Sequence, residues 1–413
     1  MKGLGAAVAL SLAAVLGLTA CTAGEAPQAT GSPAAGEKVE IEWWAPNWDE
    51  TEANEMVKEF TADHPNVEVK LVITTWDTMA DQIKVALDSG DTPDVITELI
   101  SRVPLYAQKD QLRDLSSWYT GNMPKDDFTK SAVDAVSVDS KTFGVPFRWD
   151  AGAMIYNKDL FEEAGVEAPK TWSELQTVAK TIHDKTGVYA YGWPLGNDRN
   201  TQVRWLNGYY TMGGTLQPGG TLDAAASEAS LELIQQGTGK DGYVTPSSLE
   251  ADNTQLQNLL INKQIAFYFE GAYAIDPIKK GGINVGTAMW PGPDGPAMVS
   301  ADGFALMVPS GATEAPELQQ FVDYLSTPDN QSRMTDTFPA RISAATNEKF
   351  SDPLLKPFLE QQTDHAFAVP SFAGYEEMIP TIFAAAQSVA LGNATPAEAN
   401  ATIVSHAETA LGK

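Results

Sequence analysis

Apolar and polar positions fall into two rhythms from Val39 onward. VEIEWW alternates residue by residue, the period of a half-buried strand, whereas the following DETEANEMVKEFTADHP sets Met56, Val57 and Phe60 on one helical face. Asp49 and Glu52 stand three apart at its start, the spacing of a capping box. NVEVKLVIT is again strand-like, DTMADQIKVALDSG is helical with Gly90 as its stop, and TPDVIT is a short apolar run. Strand and helix alternate in units of the size that builds a parallel sheet flanked by helices, with ligands gathering beyond the carboxyl ends of the strands. Trp43, Trp44 and the loop to Asp49 lie at such an end, as do Trp76 and Asp77.

A second set of elements follows. Residues 141–182 read as a strand-like run, a short helix ending near Gly165, and a helix capped by Thr171 with Glu174 three residues on. IAFYFEGAYAIDPIKKGG reads as a buried strand, a turn at Gly271 and a short helix, and GFALMVPSG as a further strand. From Ala315 to the end the pattern is mainly helical, including the run from Pro380 to Leu411. There is no internal repeat.

Length and composition narrow the class. At 413 residues, with 43% hydrophobic and 20% charged residues, the chain is long enough for more than one core and is not of disordered type. The formal net charge of −27 repels polyanions, which argues against nucleic acid as a partner and against direct adhesion to anionic lipid. Residues 1–20 combine an early Lys2 with an apolar run, the pattern of an export signal, and Leu18-Thr19-Ala20-Cys21 has the form of a bacterial lipobox. On that reading Cys21 carries the lipid; the alternative is an ordinary secretory signal with an incidental cysteine. Residues 21–36, rich in Ala, Pro, Gly and Thr, then form a flexible tether, and the chain is an exported lipoprotein on the outer face of the membrane.

Chemistry is sparse. Cys21 is the only cysteine, and His64, His183, His365 and His406 stand in no metal-ligand spacing. No nucleophile elbow, phosphate loop or dinucleotide fingerprint occurs. The expectation is a chain that is not an enzyme and holds no metal or cofactor, although two of its 54 acidic residues would suffice for a glycoside hydrolase.

FGVPFRWDAGAMIYNKDLFEEAGVEAPKTWSEL resembles the family 1 extracellular solute-binding proteins of ABC importers, whose best-known member is maltose-binding protein. ALDSGDTPDVI, IAFYFEGAYAI, ADGFALMVPSGA and FPARISA match further elements in family order, so the resemblance spans nearly the whole chain. It implies a two-lobed α/β fold of the type II periplasmic-binding kind, closing on its ligand as a hinge and meeting membrane permease subunits as a monomer. The lobes are expected at 37–148 with 300–340 and at 149–299 with 341–413. A sugar or oligosaccharide is the implied ligand; the same fold with glycerol phosphate, a polyamine or a metal is the alternative.

A sugar offers C–H faces and a rim of hydroxyls, so its site needs flat rings and planar polar groups. Strand alternation turns one of Trp43 and Trp44 inward and leaves the other, with Trp48, as a platform. Asp49 and Asp77 are helix caps that could also bind ligand. The resemblance places Asp150 on a sugar-binding carboxylate, with a hinge ion pair to Arg148 as the alternative, and puts Arg102 and Arg341 near the sugar; Arg148, in the polar hinge segment, is itself a candidate. Trp149 is core or a stacking wall. Trp193, Asp198 and Trp205 stand in a segment dense in rings, and Glu270, Tyr273, Asp302 and Gly303 complete the candidates. Tyr273 stands where the family often has Trp.

Overall fold

The computed structural model describes residues 38–195, 199–239 and 242–412. The signal, Cys21 and the tether, like Asp198, lie outside the described residues. In the first lobe β1 (Val39–Pro46) pairs in parallel with β2 (Val67–Thr74) and β3 (Val95–Leu99). The helices between them, α1 (Glu50–Asp63) and α2 (Trp76–Ser89), follow the two apolar rhythms, and Gly90 closes α2 in the left-handed conformation that glycine tolerates. A two-stranded hairpin, β4 (Ser137–Val138) and β5 (Lys141–Thr142), precedes β6 (Gly144–Pro146) at the sheet edge.

The chain then runs through β7 (Asp150–Ala151) into β8 (Ala153–Asn157), β9 (Tyr189–Tyr191), β10 (Ile265–Glu270) and β11 (Val285–Ala288), which form the second lobe's sheet in the order β11-β8-β10-β9. It returns through β12 (Val299–Asp302) into β13 (Phe304–Met307), and β14 (Ala366–Ala368) comes later. The parallel pairing expected from alternating strands and helices is found in β1, β2 and β3, and other strands make the sheets mixed. β13 lies between β3 and β6 and is antiparallel to both, while β8 is antiparallel to β10 and β11. A strand that re-enters the first sheet from the end where β1 and β3 leave it must run against them.

Each sheet is wrapped by its own core, one around Ile41, Trp43, Phe60 and Phe321, the other around Trp205, Tyr209, Tyr268 and Tyr375. Core membership passes from the first to the second between Ala151 and Ala153, back between Val285 and Ala297, and over again between Met334 and Phe350, where Phe338 and Ala340 alternate; Phe269 alone in the second stretch packs with the first core. Trp149 and Val299, expected in the second lobe, pack with the first core. At the crossings β7, β12 and β14 form a small sheet of their own, in the order β14-β12-β7. The strand β14 interrupts the mainly helical C-terminal stretch, and Pro380 sits inside the helix Ala373–Ala390 rather than starting it.

Candidate functional site

The first wall of the site grows from the end of β1. Chain reversal at the 3-10 turn Asn47–Asp49 lifts Trp48 out of the sheet, and α2 begins with Trp76 after β2 at the same end. The two indoles lie 6.1 Å apart, and Trp48 meets the edge of Phe304, the first residue of β13, at 5.5 Å. Trp48 stays 40% exposed and Trp76 53%, too open for core packing and suited to stacking. Trp76 and Phe304 were missed as site residues by sequence reasoning. The signal was present for Trp76, since the loop after β2 ends beside the loop after β1.

The floor is made by the crossing strands. Asp150 on β7 faces Asp302 on β12 in register. Asp302 is fixed by Ser101, whose hydroxyl donates to Oδ2 at 2.7 Å and whose backbone N–H donates to Oδ1 at 3.2 Å. Burial, with the charges of Asp336, Asp302 and Glu270, pushes the Asp150 carboxyl up to about 7 against the opposing pull of Arg148.

The second wall comes from the end of β10. The Glu270 carboxylate accepts the Tyr273 hydroxyl at 2.7 Å and the Gly271 N–H at 2.9 Å, so Tyr273 lies with its ring 42% exposed beside the turn. Gly271 is needed there: a Cβ would stand 2.6 Å from the Tyr273 ring and 3.3 Å from Asp150 Oδ2. Burial also raises the Glu270 carboxyl, countered by Arg204.

Arg148 ties floor to first wall. Its guanidinium is buried against the Asp49 carboxylate and the Met334 carbonyl, reaches Asp336 at 3.5 Å, and lies 5.8 Å from the centre of the Phe304 ring. Asp49 is therefore not a side-chain helix cap, as its spacing suggested: it precedes α1 without a capping hydrogen bond. Burial pushes its carboxyl up to about 6 despite Arg148.

Other expected site residues turn away. Trp43 is wholly buried, donates to Thr97 Oγ1 at 3.0 Å and packs on Phe321. Trp44 points to the opposite sheet face, bonded to Glu42 and bordering a groove with Asp81 and Val85 of α2. Trp149, Trp193 and Trp205 are core residues; Trp205 stacks on Tyr209 at 5.0 Å. Gly303 serves backbone packing, since a Cβ would come within 2.0 Å of the Arg148 carbonyl oxygen. Arg341 is a buried staple, bonded to Asp127 at 2.7 Å, the Ser326 carbonyl and the Asn122 carbonyl. Arg102 pairs with Glu98 at 3.1 Å and keeps part of its surface open. The side chain of Asp77 lies outside the described residues; its helix starts one residue earlier, with Thr75 at the cap position.

The assembled strip sets aromatic rings on two walls around a carboxylate floor. Among the described residues no His, Cys, Asp and Glu side chains are grouped to hold a metal. The Tyr209 and Tyr210 pair is no iron site either, since Tyr209 accepts from Asp223 and donates to the Thr215 carbonyl while Tyr210 stacks on Phe367. No helix among the described residues is long and apolar enough to cross a membrane.

Two mixed sheets joined by crossing segments, with a strip of rings and carboxylates between them, give a two-lobed α/β fold of the type II periplasmic-binding kind. The chain belongs to the bacterial extracellular solute-binding protein family, which it matches over residues 47–332. It is a binding protein, not an enzyme. The maltooligosaccharide ABC transporter solute-binding lipoprotein of Streptococcus pneumoniae is 25% identical over 321 residues, covering 71% of this chain and 72% of the relative. The multiple sugar-binding protein of Streptococcus mutans is 23% identical over 378 residues, covering 84% and 86%. Among solved structures, the GacH receptor of Streptomyces glaucescens superposes with a TM-score of 0.78 at 24% identity, over 91% of this chain and 98% of that one. Maltose-bound MalE3 of T. maritima gives 0.78 at 21% identity over 90% and 99%. At these identities the structural likeness establishes the fold.

Proposed function

We propose that this chain is the lipid-anchored extracellular substrate-binding protein of an ABC transporter, capturing a sugar or oligosaccharide between its lobes and delivering it to the membrane permease. The observation that carries this reading is the pairing of exposed rings, Trp48 and Trp76 on one wall and Tyr273 on the other, with Asp150 and Asp302 between them. Rings cover the C–H faces of a pyranose, and carboxylates accept from its hydroxyls. The sugars named for the streptococcal relatives support the same class.

The lobes are assigned to 37–148 with 300–340 and to 149–299 with 341–413, with Trp149, Ala151, Ala297 and Val299 at the edges of the second span packing with the first core, and the ligand draws the lobes together about the crossing strands. The protein acts as a monomer without cofactor or metal. Cys21, at the end of a signal spanning 1–20, carries the lipid that holds the tether 21–36 at the outer membrane face. An anionic solute such as glycerol phosphate fits poorly beside this many carboxylates.

Titration calorimetry against mono- and oligosaccharides tests the ligand. A binder of micromolar affinity or better is expected, and its absence among sugars and polyols overturns the reading. Replacing Cys21 with serine is expected to move the protein from membrane to medium; retention at the membrane overturns the anchor.

A further inference from the structure

The strip between the lobes is unbalanced in a way that a neutral sugar does not use. Asp49, Asp150, Asp302, Asp336 and Glu270 converge there, and the cations among them are partly engaged. Arg148 gives its Nη2 to Asp49 and the Met334 carbonyl, and Arg204 gives its Nη2 to the Phe269 carbonyl at 2.8 Å while lying 4.4 Å from the Phe269 ring centre. Lys349 is turned to the Ser332 and Thr335 carbonyls. The carboxylates thus outnumber the cations, while Arg148 Nε, Arg204 Nε, Trp149 Nε1 and the Tyr268 hydroxyl are buried polar groups without a partner among the described residues.

Two of these acceptors are buried without a partner. Asp49 Oδ2 and Glu270 Oε2 have no hydrogen bond, on residues only 5% and 7% exposed. A buried carboxylate oxygen left unpaired is costly, and a binding site tolerates one when the ligand supplies the donor. The Asp150 side chain, facing Asp302 in register and lying near Glu270, makes no hydrogen bond among the described residues either. Hydroxyls bring both a donor and lone pairs that need donors in return. An ammonium brings three donors and a positive charge, which offsets the excess of carboxylates over cations in this strip. The open Tyr273 ring beside Glu270 adds a face that attracts a cation.

We infer that the ligand is a carbohydrate bearing a free, protonated amine, with the ammonium seated among Asp150, Asp302 and Glu270 and a sugar ring laid against Tyr273. This rests on the carbohydrate reading above and narrows it to basic sugars.

Calorimetry with matched probes separates the two claims. Glucosamine, N-acetylglucosamine and glucose, and the β-1,4 disaccharides of each, are titrated at pH 7 together with spermidine. The free-amine saccharide is expected to bind at least tenfold tighter than its acetylated and hydroxyl counterparts, and Asp150→Asn is expected to shrink that ratio to a few-fold. If the neutral saccharides bind as tightly as the amine, or if Asp150→Asn leaves the ratio unchanged, the inference fails while the carbohydrate reading stands. If no saccharide binds, or spermidine alone does, both fail.

Discussion

Asp150 stands directly opposite Asp302 across the antiparallel pair of crossing strands, two carboxylates meeting at the junction of the lobes. Asp302 is held by the Ser101 hydroxyl and N–H, whereas Asp150 is pushed up to about 7 by burial and by the charges of Asp336, Asp302 and Glu270, with Arg148 opposing. A folded-state value above the unfolded one means that the native chain binds the proton more tightly. The protonated group then favours folding below the unfolded pKa of about 4, and that contribution is lost as pH rises toward about 7. Asp150→Asn is therefore expected to raise stability at pH 8 by roughly 1–2 kcal/mol, with the gain fading toward pH 4. Thermal melts of both proteins across that range measure it; an equal gain at every pH would mean that the titration of Asp150 is not its source.

Trp48 and Trp76 are open enough to be removed without emptying a core. Each change to alanine is expected to weaken ligand binding by about 1–2 kcal/mol, the scale of a lost aromatic contact with its buried area, while the melting temperature stays within a few degrees. Calorimetry and a thermal melt on the same samples decide it, and unchanged affinity in both variants would remove this wall from the site.

Arg341 gives the opposite pattern. Its guanidinium is buried among Asp127 and two backbone carbonyls and lies 5.4 Å from the centre of the Phe128 ring. Arg341→Ala strands Asp127 and those carbonyls, so a loss of about 2–4 kcal/mol in stability is expected, with affinity of the remaining folded protein unaltered. Urea unfolding monitored by tryptophan fluorescence measures the loss. A drop in affinity without destabilisation would return Arg341 to the ligand.

Gly303 has no room for a side chain, because its Cβ would overlap the Arg148 carbonyl. Gly303→Ala forces the two crossing strands apart and is expected to cost about 3 kcal/mol, the upper range for overpacking. A melting temperature equal to that of the unmodified protein would show that the crossing can yield.

Much of the local architecture could be read from neighbours in sequence. Gly90 and Gly165 end their helices in the left-handed conformation, and Thr171 accepts from the Glu174 N–H as its spacing implied. These depend on residues within a turn of one another. The pairing of Trp43 inward and Trp44 outward likewise follows from strand alternation, though which one met the core depended on what packed above each face. Asp49 shows where local reading ends. Its spacing to Glu52 suggested a cap, yet its carboxylate is claimed by Arg148, 99 residues away, a partner that only the folded chain supplies. The Arg341 pairing is equally non-local, since Asp127 lies 214 residues from it. Trp76 and Phe304 became site residues only when α2 and β13 brought them to Trp48.

The three crossings near residues 151–153, 285–297 and 334–350 set a mechanical limit on the molecule. Sliding one lobe along the other would stretch all three at once, whereas a turn about a line through the small sheet of β7, β12 and β14 stretches none. The lobes are left with essentially one free coordinate, an angle. On the proposed reading, a permease docking on the outside need measure only that angle to know whether the space inside is filled.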